Sequence, residues 1–470
     1  MYSINTRGST GNSLSAQLVM ARDALLAHQN HMNTISHNVA NVSTLGYHRQ
    51  RTILGARQGN PGVNGMYGSG VGVLGIERSQ VAFISNQERL DASLTGRWST
   101  QYDSMMRVEE ALNEISENGI GGALDAFWNS WEDLANDADS SALRTDVMNK
   151  AEDLGYAFAS TYGNMDSQRE QINVQMRGHV EGVNLIAGRI ANLNQQIVSL
   201  STSGQAPNDL LDQRELLLRD LATLVNINVE FDENGAANVY LGSEEIVHRD
   251  SNRELKWQEA DDPSMGKGAG RVVWTDTKRE VDISGGMIFG LQETRDKIGE
   301  ILGELDSLAD VIRDQVNGIH VEGIGLDGTT GNIFFRDDVS GARSLEVSNE
   351  IRENVDKIAS SRVSPTGAND LAHEMFELQN ATPFGNNLTI NGKYQTMVSN
   401  IGSATQNAGL RLETAQAALV QTENLQQQYT GVSLDEEMSA MITAQYAFTA
   451  ASKIFNAIDE MMDTVVKGLI

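Results

Sequence analysis

Cysteine is absent from all 470 residues. No disulfide, thiol nucleophile, cysteine-bound zinc or iron–sulfur cluster is therefore available to the chain. The lack leaves the compartment open, because a chain without thiols tolerates either redox state. Proline is also scarce: five residues imply few slow cis/trans isomers, which suits a chain that has to unfold and refold. Positive charge is in deficit, 35 Lys and Arg against 63 Asp and Glu, for a formal net charge of −28. Phosphate backbones and anionic membrane faces need a concentrated positive surface, so neither nucleic acid nor an acidic lipid face is an expected partner. No uninterrupted apolar run reaches the ~18 residues needed to cross a bilayer, so membrane insertion is not expected. The opening stretch MYSINTRGSTGNSLSAQL holds no apolar core of signal-peptide length. The chain is therefore expected to stay in the cytoplasm or to leave by a route that reads no cleavable signal.

What is present is long helical periodicity. Apolar residues make up 40% of the chain, enough for substantial cores. Leu14, Leu18, Ala21, Leu25, His28, Met32, Ile35 and Val39 recur at alternating steps of four and three, a heptad seam interrupted by one His. Asn12 or Ser13 is placed to cap its start. The other extremity repeats the pattern with Met441, Ala444, Phe448, Ala451, Phe455, Ile458, Met462, Val465 and Leu469. Its start is marked by SLDEE. Ser433 and Glu436 form a capping box, and Asp435, Glu436 and Glu437 lie in the first turn, where the helix dipole favours negative charge. Neither strip buries enough apolar surface to offset its own ordering entropy, so each needs the other, or other subunits, to become rigid.

Between the strips, residues ~90–225 read as helices, with a seam at Val183, Ile186, Ile190, Leu193, Ile197 and Leu200 and an amphipathic NDLLDQRELLLRDLATLV. NINVEFDENGAANVYLG alternates around Asn234-Gly235, a hairpin signal, and strand-like sequence continues to about Ser284. A helix resumes from Leu291 to Ile319, loops and short strands fill ~320–365, and helices return from Asn369. The expected fold is α+β and mainly α: an elongated chain with its terminal helices paired as a coiled coil, a helical-bundle middle and an inserted β-rich domain. The expected segments are 1–60 and 431–470 for the axial coiled coil, 61–228 with 286–320 and 366–430 for the bundle, and 229–285 with 321–365 for the insertion.

Chemistry is harder to find. Gly70, Gly72 and Gly75 fit the dinucleotide G-x-G-x-x-G spacing, but a Rossmann loop needs a strand before it and a helix opening at it, and alternating VGVLGIERSQ follows instead. His28 and His31 lie one helical turn apart without a clustered acid or thiol, so they read as surface or interface residues. DGTTGNIFFRDD has acids at both ends of a twelve-residue window but lacks the intervening oxygens and terminal Glu of a calcium loop. No Gly-x-Ser-x-Gly elbow occurs. No catalytic residue, cofactor or metal is expected.

After the first seam comes SHNVANVSTLGYHRQR, which ends in a Gly-Tyr pair and three basic residues within four positions. Asn38, Val39, Ala40, Asn41, Thr44, Gly46 and Tyr47 resemble the N-terminal signature of the bacterial flagellar rod, hook and hook-associated proteins, with Leu45 where Pro is usual and Ser43 where Asn is usual. Asn38 and Asn41 read as residues that cap or turn the chain, Gly46 as a positive-φ site, and Tyr47 as an anchor back onto the helices. The C-terminal signature of that family is matched by Gly431, Val432, Leu434, Asp435, Glu436, Glu437, Gln445, Ala450, Ser452, Asp459, Glu460 and Met461. The interior segments FWNSWEDLANDADSSALRTDVM, NDLLDQRELLLRDLATLVNINV with Asp212, Gln213 and Arg214, SGGMIFGLQETRD and NGIHVEGIGLDGTTGNIFF resemble the hook-associated protein 1 branch, the first hook–filament junction proteins. Another axial component, such as a hook or distal rod protein, should lack these interior segments.

The resemblance implies a structural role. A member is exported without a cleaved signal through the flagellar type III system to the extracellular flagellum. There it forms a ring of its own copies between hook protein and the second hook–filament junction protein. A dedicated export chaperone covers the C-terminal helix. The residues of the two heptad seams expected to form the axial interface are Leu14, Leu18, Leu25, Met32, Ile35 and Val39 at one end and Met441, Phe448, Phe455, Ile458, Met462 and Val465 at the other. Its signature residues are Asn38, Asn41, Thr44, Gly46, Tyr47, Ser433, Asp435, Glu436 and Glu437.

Overall fold

A computed structural model describes residues 14–62, 65–112, 119–260, 269–385 and 387–468. The proposed caps Asn12 and Ser13, and Leu469 at the end of the second seam, lie outside these residues. The helices are α1 (Leu14–Ala40), α2 (Ala82–Leu112), α3 (Ile120–Asn136), α4 (Ser141–Thr202), α5 (Asn208–Leu224), α6 (Gly286–His320), α7 (Asn349–Glu353), α8 (Asp370–Glu377), α9 (Ile390–Thr430) and α10 (Leu434–Gly468). The strands are β1 (Gln50–Ala56), β2 (Asn60–Gly62), β3 (Gly65–Tyr67), β4 (Val71–Arg78), β5 (Ile227–Phe231), β6 (Ala237–Leu241), β7 (Glu244–His248), β8 (Ser251–Asn252), β9 (Leu255–Glu259), β10 (Gly270–Trp274), β11 (Ile324–Gly325) and β12 (Ala359–Ser361). The fold is α+β, mainly α.

Local chemistry explains the helix starts. Ser140 accepts from the Leu143 amide at 3.3 Å and Thr389 from the Gly392 amide at 3.0 Å, satisfying donors that a helix N-terminus leaves free. β5 to β8 form a four-stranded antiparallel meander. The Asn234-Gly235 signal does mark its first turn. The connection is a five-residue loop in which the Asp232 carboxylate accepts from the Asn234 and Ala236 amides and Gly235 takes φ +84°.

One apolar core runs through α3, α4, α6 and the second half of α2, and continues into β6, β7, β9 and β10. Trp128, Trp131, Phe127, Phe334 and Phe335 are wholly buried within it. Gly155 lets α4 pass the Leu345 segment, since a Cβ there would lie 2.1 Å from the Leu345 carbonyl oxygen. Among the described residues, this core includes none from α1, β1, β4 or α10. The first half of α2 and the last half of α9 run antiparallel between the two regions, joined by small and polar residues such as Ala92, Ala408, Ala415 and the Thr422–Asp91 hydrogen bond of 2.7 Å.

His320, fully buried at the end of α6, is held neutral. Its Nδ1 donates to the Asn332 carbonyl at 2.8 Å and its Nε2 accepts from the Ala359 amide at 3.0 Å. Burial pushes its pKa down to about 4. The unfolded chain takes up that proton at an ordinary His pKa of about 6.5. The resulting stability is therefore present above that value and is lost as pH falls towards 4, by up to about 3 kcal/mol. Urea unfolding of the wild type and of His320→Gln at pH 7 and pH 4.5 checks this. The variant starts less stable and loses less on acidification.

Candidate functional site

The two terminal strips meet. α1 and α10 pack antiparallel, and the ends of the seams face each other within one chain. Ala21, Ile35, Ala444, Ala451 and Ile458 are buried between them. Leu14, Leu18, Leu25, Met32, Val39, Met441, Phe448, Phe455 and Met462 are half-buried. Val465, two turns beyond Ile458 on the same side of α10, is 48% exposed. A wider set of apolar residues on α10 is exposed with it. Leu434, Met438, Ile442 and Tyr446, then Ile454, Met461 and Val465, point to solvent, with Tyr446 at 75% exposure. Val19 and Leu26 on α1 are exposed as well.

The signature residues build the root of this pair. The sequence reading made Asn38 a cap or turn residue; it is instead inside α1, 1% exposed, and works as a cross-link. Its Nδ2 donates to the Gln50 carbonyl at 2.9 Å and to Glu437 Oε2 at 3.0 Å. Its Oδ1 accepts from the Gln50 amide at 3.0 Å and from the Tyr47 hydroxyl at 2.8 Å. All four of its hydrogen-bonding positions are used. Asn41 does turn the chain, accepting from Thr44 Oγ1 at 3.1 Å while its Nδ2 donates to the His37 carbonyl at 3.0 Å. Gly46 has φ +75°, as its place in the turn requires. Tyr47 returns to the helix end, edge-on to His37. Burial, together with Asp209, Asp212 and Glu437 nearby, pushes its hydroxyl pKa up, so it remains a donor.

Two of the three basic residues, Arg49 and His48, reach acidic partners. Arg49 Nε donates to Glu437 Oε1 at 2.7 Å and its Nη1 to Glu436 Oε2 at 2.8 Å. Glu436 is thus turned to Arg49 rather than back to the helix start, and Glu437, 2% exposed, ties α10 to both Asn38 and Arg49. Ser433 stands directly before α10, its carbonyl accepting from the Glu437 amide, and Asp435 is exposed beside it. His48 turns instead to the body. Its amide and Nδ1 both meet the carboxylate of Asp212 on α5, at 3.1 and 2.7 Å.

Asp212 is the residue whose role sequence reasoning missed. In the sequence it stands out only as part of a helix motif, and a lone acid on an amphipathic helix reads as solvent-facing. Two residues further, Arg214 lies about 200° round the helix and faces the other way. Its Nη1 donates to Asn194 Oδ1 at 2.9 Å and to the Gly235 carbonyl at 2.6 Å, and burial lowers its pKa to about 10. α5 therefore holds the signature loop on one face and the β-meander turn on the other.

The other motifs resolve structurally. Gly72 and Gly75 lie in β4, which pairs antiparallel with β1, and no helix opens at Gly70. In the acidic window, Asp327 caps the Thr329 amide at 2.9 Å and Asp338 pairs with Arg336 at 2.9 Å.

Comparison with known proteins agrees with this architecture. The family model for the flagellar hook-associated protein FlgK helical domain matches residues 105–335, and that for the flagellar basal body rod FlgEFG protein C-terminal matches residues 426–467. The flagellar hook-associated protein 1 of Bacillus subtilis is 28% identical over 96% of this chain and 98% of its own. That of Salmonella typhimurium is 25% identical over 96% of this chain and all of its own, 100%. In fold, the chain is similar to the flagellar hook junction protein FlgK from Burkholderia pseudomallei, with a TM-score of 0.64 at 15% identity, covering 74% of this chain and 100% of that one. No described helix is long and apolar enough to cross a membrane. The interior match excludes a plain hook or rod protein, and the chain belongs to the flagellar hook-associated protein 1 family, a family of flagellar structural proteins.

Proposed function

We propose that this chain is a structural component of the bacterial flagellum that joins hook to filament. The observation that carries this reading is the arm made by α1 and α10: one apolar seam closes within the chain, and a second stripe on α10 stays open to solvent. An open stripe along several turns of helix is covered when copies pack side by side. In the assembled state, copies form a ring at the distal end of the hook, with hook protein on one side and the second hook–filament junction protein on the other. The seam residues order the arm, and the outward stripe from Leu434 to Val465 meets neighbouring copies. The chain leaves the cell through the flagellar type III apparatus without a cleaved signal, with a chaperone covering the C-terminal stripe during transit. Its role is mechanical rather than catalytic.

Adding purified chain to isolated hook–basal bodies tests this directly. Gold-labelled antibody should mark only the distal hook tips, and filaments should then grow once the second junction protein and flagellin are supplied. Labelling along the sides of hooks, or none at the tips, would overturn the reading.

A further inference from the structure

The arm and the body do not share a core. Among the described residues, the main apolar cluster contains none from α1, β1, β4 or α10. Two covalent links cross the gap, residues 79–81 between β4 and α2 and residues 431–433 between α9 and α10. At the second link Gly431 is extended, at φ −72° and ψ 165°. What fastens the arm is mostly polar, and its centre is one carboxylate.

Asp212 takes three charge-assisted or amide donors from the arm: the His48 amide at 3.1 Å, His48 Nδ1 at 2.7 Å and Arg78 Nη1 at 2.7 Å. All three side chains are at most 8% exposed. His48 comes from the signature loop and Arg78 from the end of β4, so one acid gathers both ends of the arm's root. Weaker contacts flank it. Gln50 Nε2 gives the neighbouring Asp209 carboxylate a single hydrogen bond at 2.8 Å, and Asn208 Nδ2 makes neutral ones to Gln50 Oε1 at 3.2 Å and the Ile76 carbonyl at 3.1 Å. Asp212 differs in taking three donors, one of them a guanidinium, and such charge-assisted bonds are roughly twice as strong as neutral ones. On the other side of His48 lies a cavity of about 320 Å³ between Leu45–His48 and α2, α5 and α9, with Glu88, Arg219 and Glu423 in its wall. On that side the loop is held by Gln426 Nε2 against His48 Nε2 at 3.3 Å and by the Arg49 amide on the Thr430 carbonyl at 2.9 Å, with the cavity beside them.

We propose that Asp212 is the positioning residue that sets the direction of the arm on the body. With its charge removed, the arm swings about the two links while its own fold and that of the body persist. Interfaces that must open without unfolding are joined by a few replaceable contacts and not by a continuous core. The latch is a property of the free chain and holds whatever the arm docks on in assembly.

The absence of cysteine makes the test clean, because only introduced thiols take a label. Lys453→Cys on α10 and Asp220→Cys on α5 are exposed positions on arm and body. Spin labels on this pair should give a narrow distance distribution in the otherwise wild-type chain. Asp212→Asn keeps the side chain's shape and removes its charge, and should broaden the distribution roughly two-fold or more. Circular dichroism and urea unfolding of the body should be unchanged. Arg78→Gln opens the latch from the arm side and should broaden the distribution likewise, which decides the matter if Asp212→Asn misfolds. A distribution that stays narrow in both variants overturns the proposal. So does broadening that comes with loss of arm helicity, since Asp212 would then be holding the fold and not its direction.

Discussion

Replacing Asn38 with Leu should release α10 from the root of the arm and leave cells with hooks that carry no filaments. The two side chains are similar in size, so the effect is polar. The Gln50 amide and carbonyl, the Tyr47 hydroxyl and one oxygen of Glu437 each lose a partner in a site where Asn38 is 1% exposed. The Tyr47 hydroxyl keeps His37 Nδ1 at 3.0 Å. A buried polar group left unsatisfied costs about 1–3 kcal/mol, so the other three together amount to roughly 3 kcal/mol or more. Among the described residues, the arm has no share in the body's core to draw on. Hydrogen exchange should show protection lost in α1 and α10 and kept in α3, α4 and α6. Asn41→Leu is the contrast. Asn41 sits in the open turn and makes two hydrogen bonds, so its loss should cost no more than about 1 kcal/mol and leave filaments attached. Equal effects of the two changes would mean that the cross-link to Glu437 is unimportant.

The difference between these two Asn residues marks what a sequence discloses. Both were visible as a signature, and so were the seams of α1 and α10, because period is a local property that packing only has to accept. The partner of Asn38 lies 399 residues away, and no local pattern announces it. Asp212 was hidden for the same reason, its partners being 164 and 134 residues earlier. α4 shows a second limit. It is a single helix of 62 residues, of which only Gly178 to Leu200 had a clear seam. Its remaining length turns successive faces to α3, α5, α6 and the strands, so no one stripe persists. Glycines such as Gly155 interrupt the pattern further, and that glycine is demanded by a close approach the sequence cannot display. The outward apolar residues of α10, such as Met438, Ile442 and Tyr446, stand in plain sight between the seam positions, but a helix apolar on two sides draws the eye to its strongest period alone.

Phe455→Asp combined with Ile458→Asp should abolish assembly while the body still folds. Ile458 is 5% exposed between α10 and α1, and Phe455 is half-buried one turn before it. Losing the Ile alone forfeits about 2 kcal/mol of apolar burial, and a carboxylate in its place adds a desolvation cost of several kcal/mol unless the helices part. Asp459, Glu460 and Asp463 already make that stretch acidic, and of the two lysines of α10 Lys467 is paired with Asp463. The helices should therefore separate, and circular dichroism should lose signal equivalent to much of the 27 residues of α1 and the 35 of α10. Urea unfolding of the tryptophan-rich core should be unaltered, because that core contains neither helix. A second pair of changes divides the two faces of α10. Met438→Glu with Tyr446→Glu alters only solvent-exposed positions, so the free chain should keep its helicity and thermal midpoint yet fail to join the hook tip. Loss of incorporation in both double variants, with loss of arm helix in the first alone, is what an inner seam for folding and an outer stripe for neighbours require. If the outward pair incorporated normally, the stripe would have no role between copies, and the seam alone would have to account for assembly.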